Sequence, residues 1–120
     1  MYWNKINNHE LQALRKLLML DVSEAAEFVA KVSARTWQYY ESGGRPIPKD
    51  VETEMYALIQ FRSDLIDELE LNLNVGDKIK YYHSFKEWLD DGKEDNKVQW
   101  KIHQSAVSAI FADGNDIELI

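Results

Sequence analysis

Ala34, Arg35, Gln38 and Tyr39 are spaced so that one side of a helix would carry all four, with Trp37 and Tyr40 turned the other way into a core. Their side chains suit the edges of base pairs. An arginine can take both acceptors of a guanine edge, and a glutamine both groups of an adenine edge. Ala34 can rest on a thymine methyl, and Tyr39 can donate to a phosphate or pack on a base edge. Ser33 and Thr36, at the start of the same helix, suit phosphate contact, as does the helix N-terminus itself. Arg45, just beyond the helix, either touches phosphate or caps the last carbonyls. The chemistry on offer is recognition of double-stranded DNA. The plainer reading is a solvated face on which Arg35 pairs with Glu41 or Glu27. Glu41 itself reads as structural, holding its helix to a neighbour.

No other constellation competes. His9, His83 and His103 lack metal-ligand spacing, and no cysteine can complete a site. Asp90-Asp91 and Glu94-Asp95 have no glycine-centred calcium pattern around them and read as surface charge. Gly43-Gly44 lacks the preceding strand and the following Lys-Ser/Thr of a phosphate loop. Nothing positions a nucleophile beside a base. The expectation is a protein that is not an enzyme, with no cofactor, no metal and no catalytic residue. Tyr81, Tyr82 and His83 beside Lys78 and Lys80 mix aromatics with base, a pattern that could stack on single-stranded RNA; an inward strand face explains the same residues.

The elements that must position the reading face can be followed along the chain. Asn7 or Asn8 can cap a first helix through HELQALRKLLML, with Leu11, Leu14 and Leu18 as its apolar stripe. Asp21 and Ser23 can each cap a short second helix, EAAEFVAK, with Ala25, Ala26 and Val29 on one face; Glu24 stands three residues after Asp21. Ser33 caps the third, ARTWQYYES, and Gly43-Gly44 ends it. Three short helices with a tight turn between the second and third form a helix-turn-helix, whose third helix enters the major groove by its N-terminal end.

Pro46 and Pro48 stiffen a connection to a fourth, longer helix. Along it Val51, Met55, Leu58, Phe61, Leu65 and Leu69 make one apolar line, and Ile59, Ile66 and Leu73 a second. A helix apolar on two sides either crosses a core or offers a face to a second subunit. A turn near Asn74–Asp77 precedes an expected strand over 78–83. Ser84 and Glu87 form a capping-box pattern for a helix with Phe85, Trp88 and Leu89 inward, stopped near Gly92. Val98, Ile102, Ala106 and Ile110 mark a last helix, and residues 117–120 an expected strand paired with 78–83.

The net charge of −7 over 120 residues is unevenly spread. Residues 1–49 hold seven basic and five acidic side chains, a net of +2, whereas residues 50–120 hold seven and sixteen, a net of −9. Affinity for phosphate follows the local basic footprint, so an acidic second half permits DNA binding while arguing against indiscriminate coating of nucleic acid. Apolar residues make up 45% of the chain, enough for a packed core. The longest aliphatic run, Leu17-Leu18-Met19-Leu20, is too short to span a bilayer. Met1-Tyr2-Trp3-Asn4-Lys5 lacks a secretory h-region. A cytoplasmic location and no membrane partner are expected.

The segment SARTWQYYESG resembles the recognition helix of lambda-repressor-like helix-turn-helix proteins through Ser33, Trp37, Tyr40, Glu41 and Gly43. The longer stretch LQALRKLLMLDVSEAAEFVAKVSARTWQYYESG resembles, more narrowly, the YdiL-like family of small helix-turn-helix proteins, related to anti-CRISPR-associated transcriptional repressors. The resemblance implies a homodimer that reads an inverted repeat in a promoter near its own gene. Two departures stand out. Lys31 occupies the place of the usual turn glycine, which predicts a turn built differently. Ala25 and Ala26 sit nearer the start of the second helix than the usual inward alanine. The expected fold is mainly α: a lambda-repressor-like helix-turn-helix over residues 1–60, then an acidic, mostly helical region over 61–120 with two short strands, serving dimerisation. The expected DNA-binding residues are Ser33, Ala34, Arg35, Thr36, Gln38, Tyr39 and Arg45. The alternative is an antitoxin-like or adaptor module that keeps the helix-turn-helix fold and binds a protein.

Overall fold

Side-chain caps set where most of the helices begin. The structure, a computed structural model, describes residues 5–120, so Met1-Tyr2-Trp3-Asn4, where no secretory h-region is expected, lies outside the described residues. Helix α1, Asn8–Leu17, opens on Asn7, whose carboxamide accepts the Glu10 N–H while the Glu10 carboxylate accepts the Asn7 N–H. It closes at Met19 in the left-handed region (φ 61°), with Met19 N–H on the Lys16 carbonyl and Leu20 N–H on that of Arg15. That pair of bonds is a Schellman closure, here made without glycine. Asp21 and Glu24 form a second reciprocal box. It opens α2, which begins as one α-helical turn, Val22–Glu24, and continues as a π-helix, Ala25–Ala30. Helix α3, Ala34–Ser42, is capped by Ser33 and ended by Gly43 at φ 83°.

The π-helix accounts for the shifted spacing of Ala25 and Ala26. Its wider turn brings Ala25, Ala26 and Val29 to the buried side together. The expectation about the turn is corrected: Lys31 takes φ 56°, ψ 46°, the conformation a glycine would adopt, so the turn closes in the usual way with a lysine in it.

The remaining elements are α4, Lys49–Leu71; β1, Asp77–Ile79; α5, Phe85–Asp90; α6, Lys97–Ala112; and β2, Ile117–Leu119. The fold is mainly α, as expected from the periodicity. Two compact units divide it, one reaching to Gln60 and the other running Phe61–Ile120. The first is packed around Leu11, Leu18, Ala25, Ala26, Trp37, Val51 and Met55.

In the second unit, β1 and β2 pair in parallel, Asp77 with Ile117 and Ile79 with Leu119. The first strand is shorter and one residue earlier than the 78–83 expected. Past Ile79 only the Tyr81 N–H continues the ladder, to the Ile120 carbonyl at 2.7 Å, before Tyr82 turns inward. Leu89, expected inward on α5, is exposed. The Ser84 cap holds the Glu87 N–H as expected, but the Glu87 carboxylate accepts from His83 N–H rather than closing the box on Ser84.

Tyr82 anchors this unit. Its main chain exchanges bonds with the Gln104 carboxamide, and its carbonyl also accepts the Trp100 indole N–H. Its hydroxyl donates to Asp91. Burial, that hydrogen bond and the Asp91 charge push the phenol up to about 12. Trp88 and His103 both stand edge-on or tilted to the Tyr82 ring, at 5.3 and 5.4 Å between centroids. Buried in this way, Tyr82 is not free to stack on a nucleotide.

Burial pulls the His103 imidazole below its ordinary 6.5, assisted by the charge of Lys93 and opposed by the Gln104 hydrogen bond. A base whose folded pKa is depressed contributes stability that is full above the unfolded value and is lost as pH falls toward the folded one. Thermal melts from neutral pH down to about pH 5 should therefore show stability falling below 6.5. His103→Gln should flatten that slope; an unchanged slope would rule His103 out as its source.

Candidate nucleic-acid interface

The inner face of α3 is fixed by an ion pair buried between helices. Trp37 is fully buried and Tyr40 nearly so, their rings 6.2 Å apart and edge-on. One turn further on, Glu41 meets Arg15 of α1. The guanidinium fork grips the carboxylate through Nε at 2.6 Å and Nη2 at 3.0 Å, while Nη1 donates to the Leu20 carbonyl at 2.9 Å. Both side chains are about nine-tenths buried, at 10% and 7% exposure. Glu41 also accepts the Trp37 indole N–H and the Gln12 amide. The Asn8 amide reaches the Glu41 carbonyl at 3.3 Å. A bidentate, fully hydrogen-bonded pair of this kind satisfies the charges that burial would otherwise penalise.

Glu41 thus has the structural role expected of it, but its partner is Arg15 rather than Arg35. Arg15 was not picked out from the sequence. The available signal was its place within the stripe Leu11, Leu14, Leu18, which puts its stem on the buried side.

With the inner face held, α3 presents the residues expected of it. Arg35 and Gln38 are exposed, and Ala34, Thr36 and Tyr39 half-buried. Ser33 accepts the Thr36 N–H at 3.1 Å and its hydroxyl donates to the Thr36 hydroxyl, so both hydroxyls stand at the helix start. Arg35 and Tyr39 are one turn apart, and the Arg35 Nε–H donates to the Tyr39 hydroxyl at 3.1 Å. The guanidinium of Arg45 lies over the Tyr39 ring, 4.7 Å from its centroid. The chain returns there because the Arg45 N–H bonds the Tyr39 carbonyl. Gly44 makes room for it: a Cβ at that position would stand 3.2 Å from the ring. Arg35, Tyr39 and Arg45 therefore form one cationic–aromatic cluster, with Gln38 on the same helix.

The positive balance is local. Carried to Gln60, the first unit holds seven basic and eight acidic side chains, because Asp50, Glu52 and Glu54 open α4. Before α4, residues 1–48 hold six basic and five acidic side chains, so the surplus of base there is one charge. Among the described residues no group of acidic or histidine side chains is arranged to hold a metal ion, and no helix is long and apolar enough to cross a membrane.

A mainly helical protein, whose third helix is locked on one face and carries Arg35, Gln38 and Tyr39 on the other, is the class these features define. A match to the family described as Aca2/YdiL-like spans residues 6–119. The chain belongs to that family, as its resemblance to YdiL-like proteins implied. It is 43% identical over 112 residues to the Aca2 repressor of Pectobacterium phage ZF40, covering 92% of this chain and 97% of that protein. It is 28% identical over 120 residues to the uncharacterized protein YdiL of Escherichia coli (strain K12), covering 94% and 98%.

Proposed function

We propose that the chain is a transcriptional repressor that reads double-stranded DNA with α3, in a helix-turn-helix formed by α2 and α3. The observation that carries this reading is the outward set of Arg35, Gln38 and Tyr39 on a helix anchored from behind by Trp37 and the Arg15–Glu41 pair, with Arg45, just past the helix, stacked on Tyr39. Kinship with a protein named as a repressor supports the same conclusion. In this reading Arg35 and Gln38 meet base edges, and Ala34 a thymine methyl. Thr36 and Arg45 donate to phosphates and fix the register, and Ser33, whose one O–H is held by the Thr36 hydroxyl, sets the helix start that meets the backbone.

The protein acts as a homodimer on an inverted repeat. Support comes from large apolar side chains left open in the second unit, among them Phe61, Leu71 and Phe111 at 44%, 84% and 52% exposure. A symmetric pair of subunits matches a palindromic site. Sedimentation should show a dimer at micromolar concentration without DNA, and a monomer would remove this part of the proposal.

The DNA-reading part is tested by equilibrium binding of the wild type and two variants to duplexes at several salt concentrations. Arg35→Ala should lose about 1–3 kcal/mol of discrimination at one base pair per half-site. Arg45→Ala should weaken binding to every sequence and reduce the salt slope by about one, with any loss of discrimination confined to the base pair that Arg35 reads. Binding unaffected by either substitution would overturn the assignment of this face.

A further inference from the structure

Resting on the DNA-reading proposal, we infer that Tyr39 is a positioning residue that aims Arg35, committing its terminal Nη edge to a guanine. A guanidinium can grip an acceptor pair through its Nε/Nη side or through its Nη1/Nη2 end. Here the side is closed, because the Arg35 Nε–H is spent on the Tyr39 hydroxyl at 3.1 Å. The open end carries parallel N–H groups matched to the O6 and N7 acceptors of guanine. Arg35 is the second residue of α3, so that end is presented where the helix N-terminus would enter the groove.

Tyr39 can do this because its own ring is fixed. Arg45 covers it, any side chain at Gly44 would crowd it, and the Tyr39 carbonyl accepts both the Arg45 N–H and the Ser42 hydroxyl at 3.2 Å. The Arg35 carbon lies 5.7 Å from the ring centroid, farther than that of Arg45, as expected for a group held at the hydroxyl rim rather than over the face. An exposed arginine must otherwise be ordered at the moment of binding, at the cost of its rotamer freedom. Tyr39 therefore acts through Arg35 and does not touch the base.

The test is selection from a random duplex pool with the wild type, Tyr39→Phe, Arg35→Ala and the double variant, each confirmed folded by its melting curve. Tyr39→Phe removes only the hydroxyl. It should reduce the preference for guanine at one position per half-site about three- to tenfold, the rotamer cost of one long side chain. In the Arg35→Ala background it should change nothing further. Gly44→Ala, which crowds the same ring, should reproduce the loss at the same base pair. If Tyr39→Phe leaves that preference intact, or still weakens binding when Arg35 is absent, Tyr39 is not the aiming residue, although DNA reading by α3 stands. If the wild type enriches no sequence, the DNA-reading proposal fails and the inference falls with it.

Discussion

Glu41→Ala should destabilise the first unit by about 3–5 kcal/mol, because it strands the buried guanidinium of Arg15 without its counter-charge. The expected result is a large fall in melting temperature, or failure to fold. The pair itself is a different matter. Replacing both partners with apolar residues of similar size, as in Arg15→Met with Glu41→Leu, should cost far less than either truncation. The double change leaves the Trp37 indole and the Leu20 carbonyl without partners, so some loss remains.

The same carboxylate makes the unit acid-sensitive. Burial pushes Glu41 up, but hydrogen bonds from Arg15, Trp37 and Gln12 together with the Arg15 charge outweigh it and hold the group below 4.5. An acid whose folded pKa is depressed stabilises fully above its unfolded value, and that stability is lost as pH falls through the folded one. Denaturant titrations at decreasing pH should therefore show the wild type weakening below 4.5, with the doubly apolar variant showing less of that dependence. Equal stability of Glu41→Ala and wild type would contradict this account of how α3 is held.

Trp37→Ala is expected to cost a similar amount, about 3–5 kcal/mol, through the cavity left by a fully buried indole. Trp37→Phe separates the two contributions of that side chain. It keeps an aromatic ring against Tyr40 but removes the N–H that Glu41 accepts, a bond to a charged group worth about 1.5–3 kcal/mol. Because Trp37 and Arg15 share the Glu41 carboxylate, the effects of Trp37→Phe and Arg15→Met should not add. Chemical denaturation of the single and double variants measures the coupling, and simple additivity would show the knot to be two independent contacts.

What the sequence disclosed follows from the range of each interaction. Ser33 and Ser84 were readable as caps, and Asn7 and Asp21 as one of two candidates each beside Asn8 and Ser23, because a capping side chain bonds a backbone group two or three residues away. The inward Trp37 and Tyr40, and the outward Arg35 and Gln38, follow from helical spacing alone. The Arg15–Glu41 pair spans 26 residues between two helices, and no local pattern announces such a partner. The plainer reading of Arg35 paired it with Glu41 or Glu27, whereas in the fold Arg35 donates to Tyr39.

Lys31 and Met19 were hidden for another reason. Both take the left-handed conformation that side chains disfavour, so the sequence argued against the turns they make. The π-helical turn likewise leaves no signature beyond the odd spacing of Ala25 and Ala26. In the second unit, the short parallel ladder was misplaced because the tyrosines after Ile79 belong partly to a buried aromatic cluster rather than to a longer strand.

The measurement that bears most directly on the central claim is selection of bound sequences from a random duplex pool by the wild-type protein, repeated with Arg35→Ala. Sequence reading by a symmetric pair of α3 helices predicts enrichment of a palindrome. Arg35→Ala should then relax that palindrome at one base pair in each half-site. No enrichment by a folded protein would contradict the account and turn attention to an adaptor that binds a protein partner through the same fold.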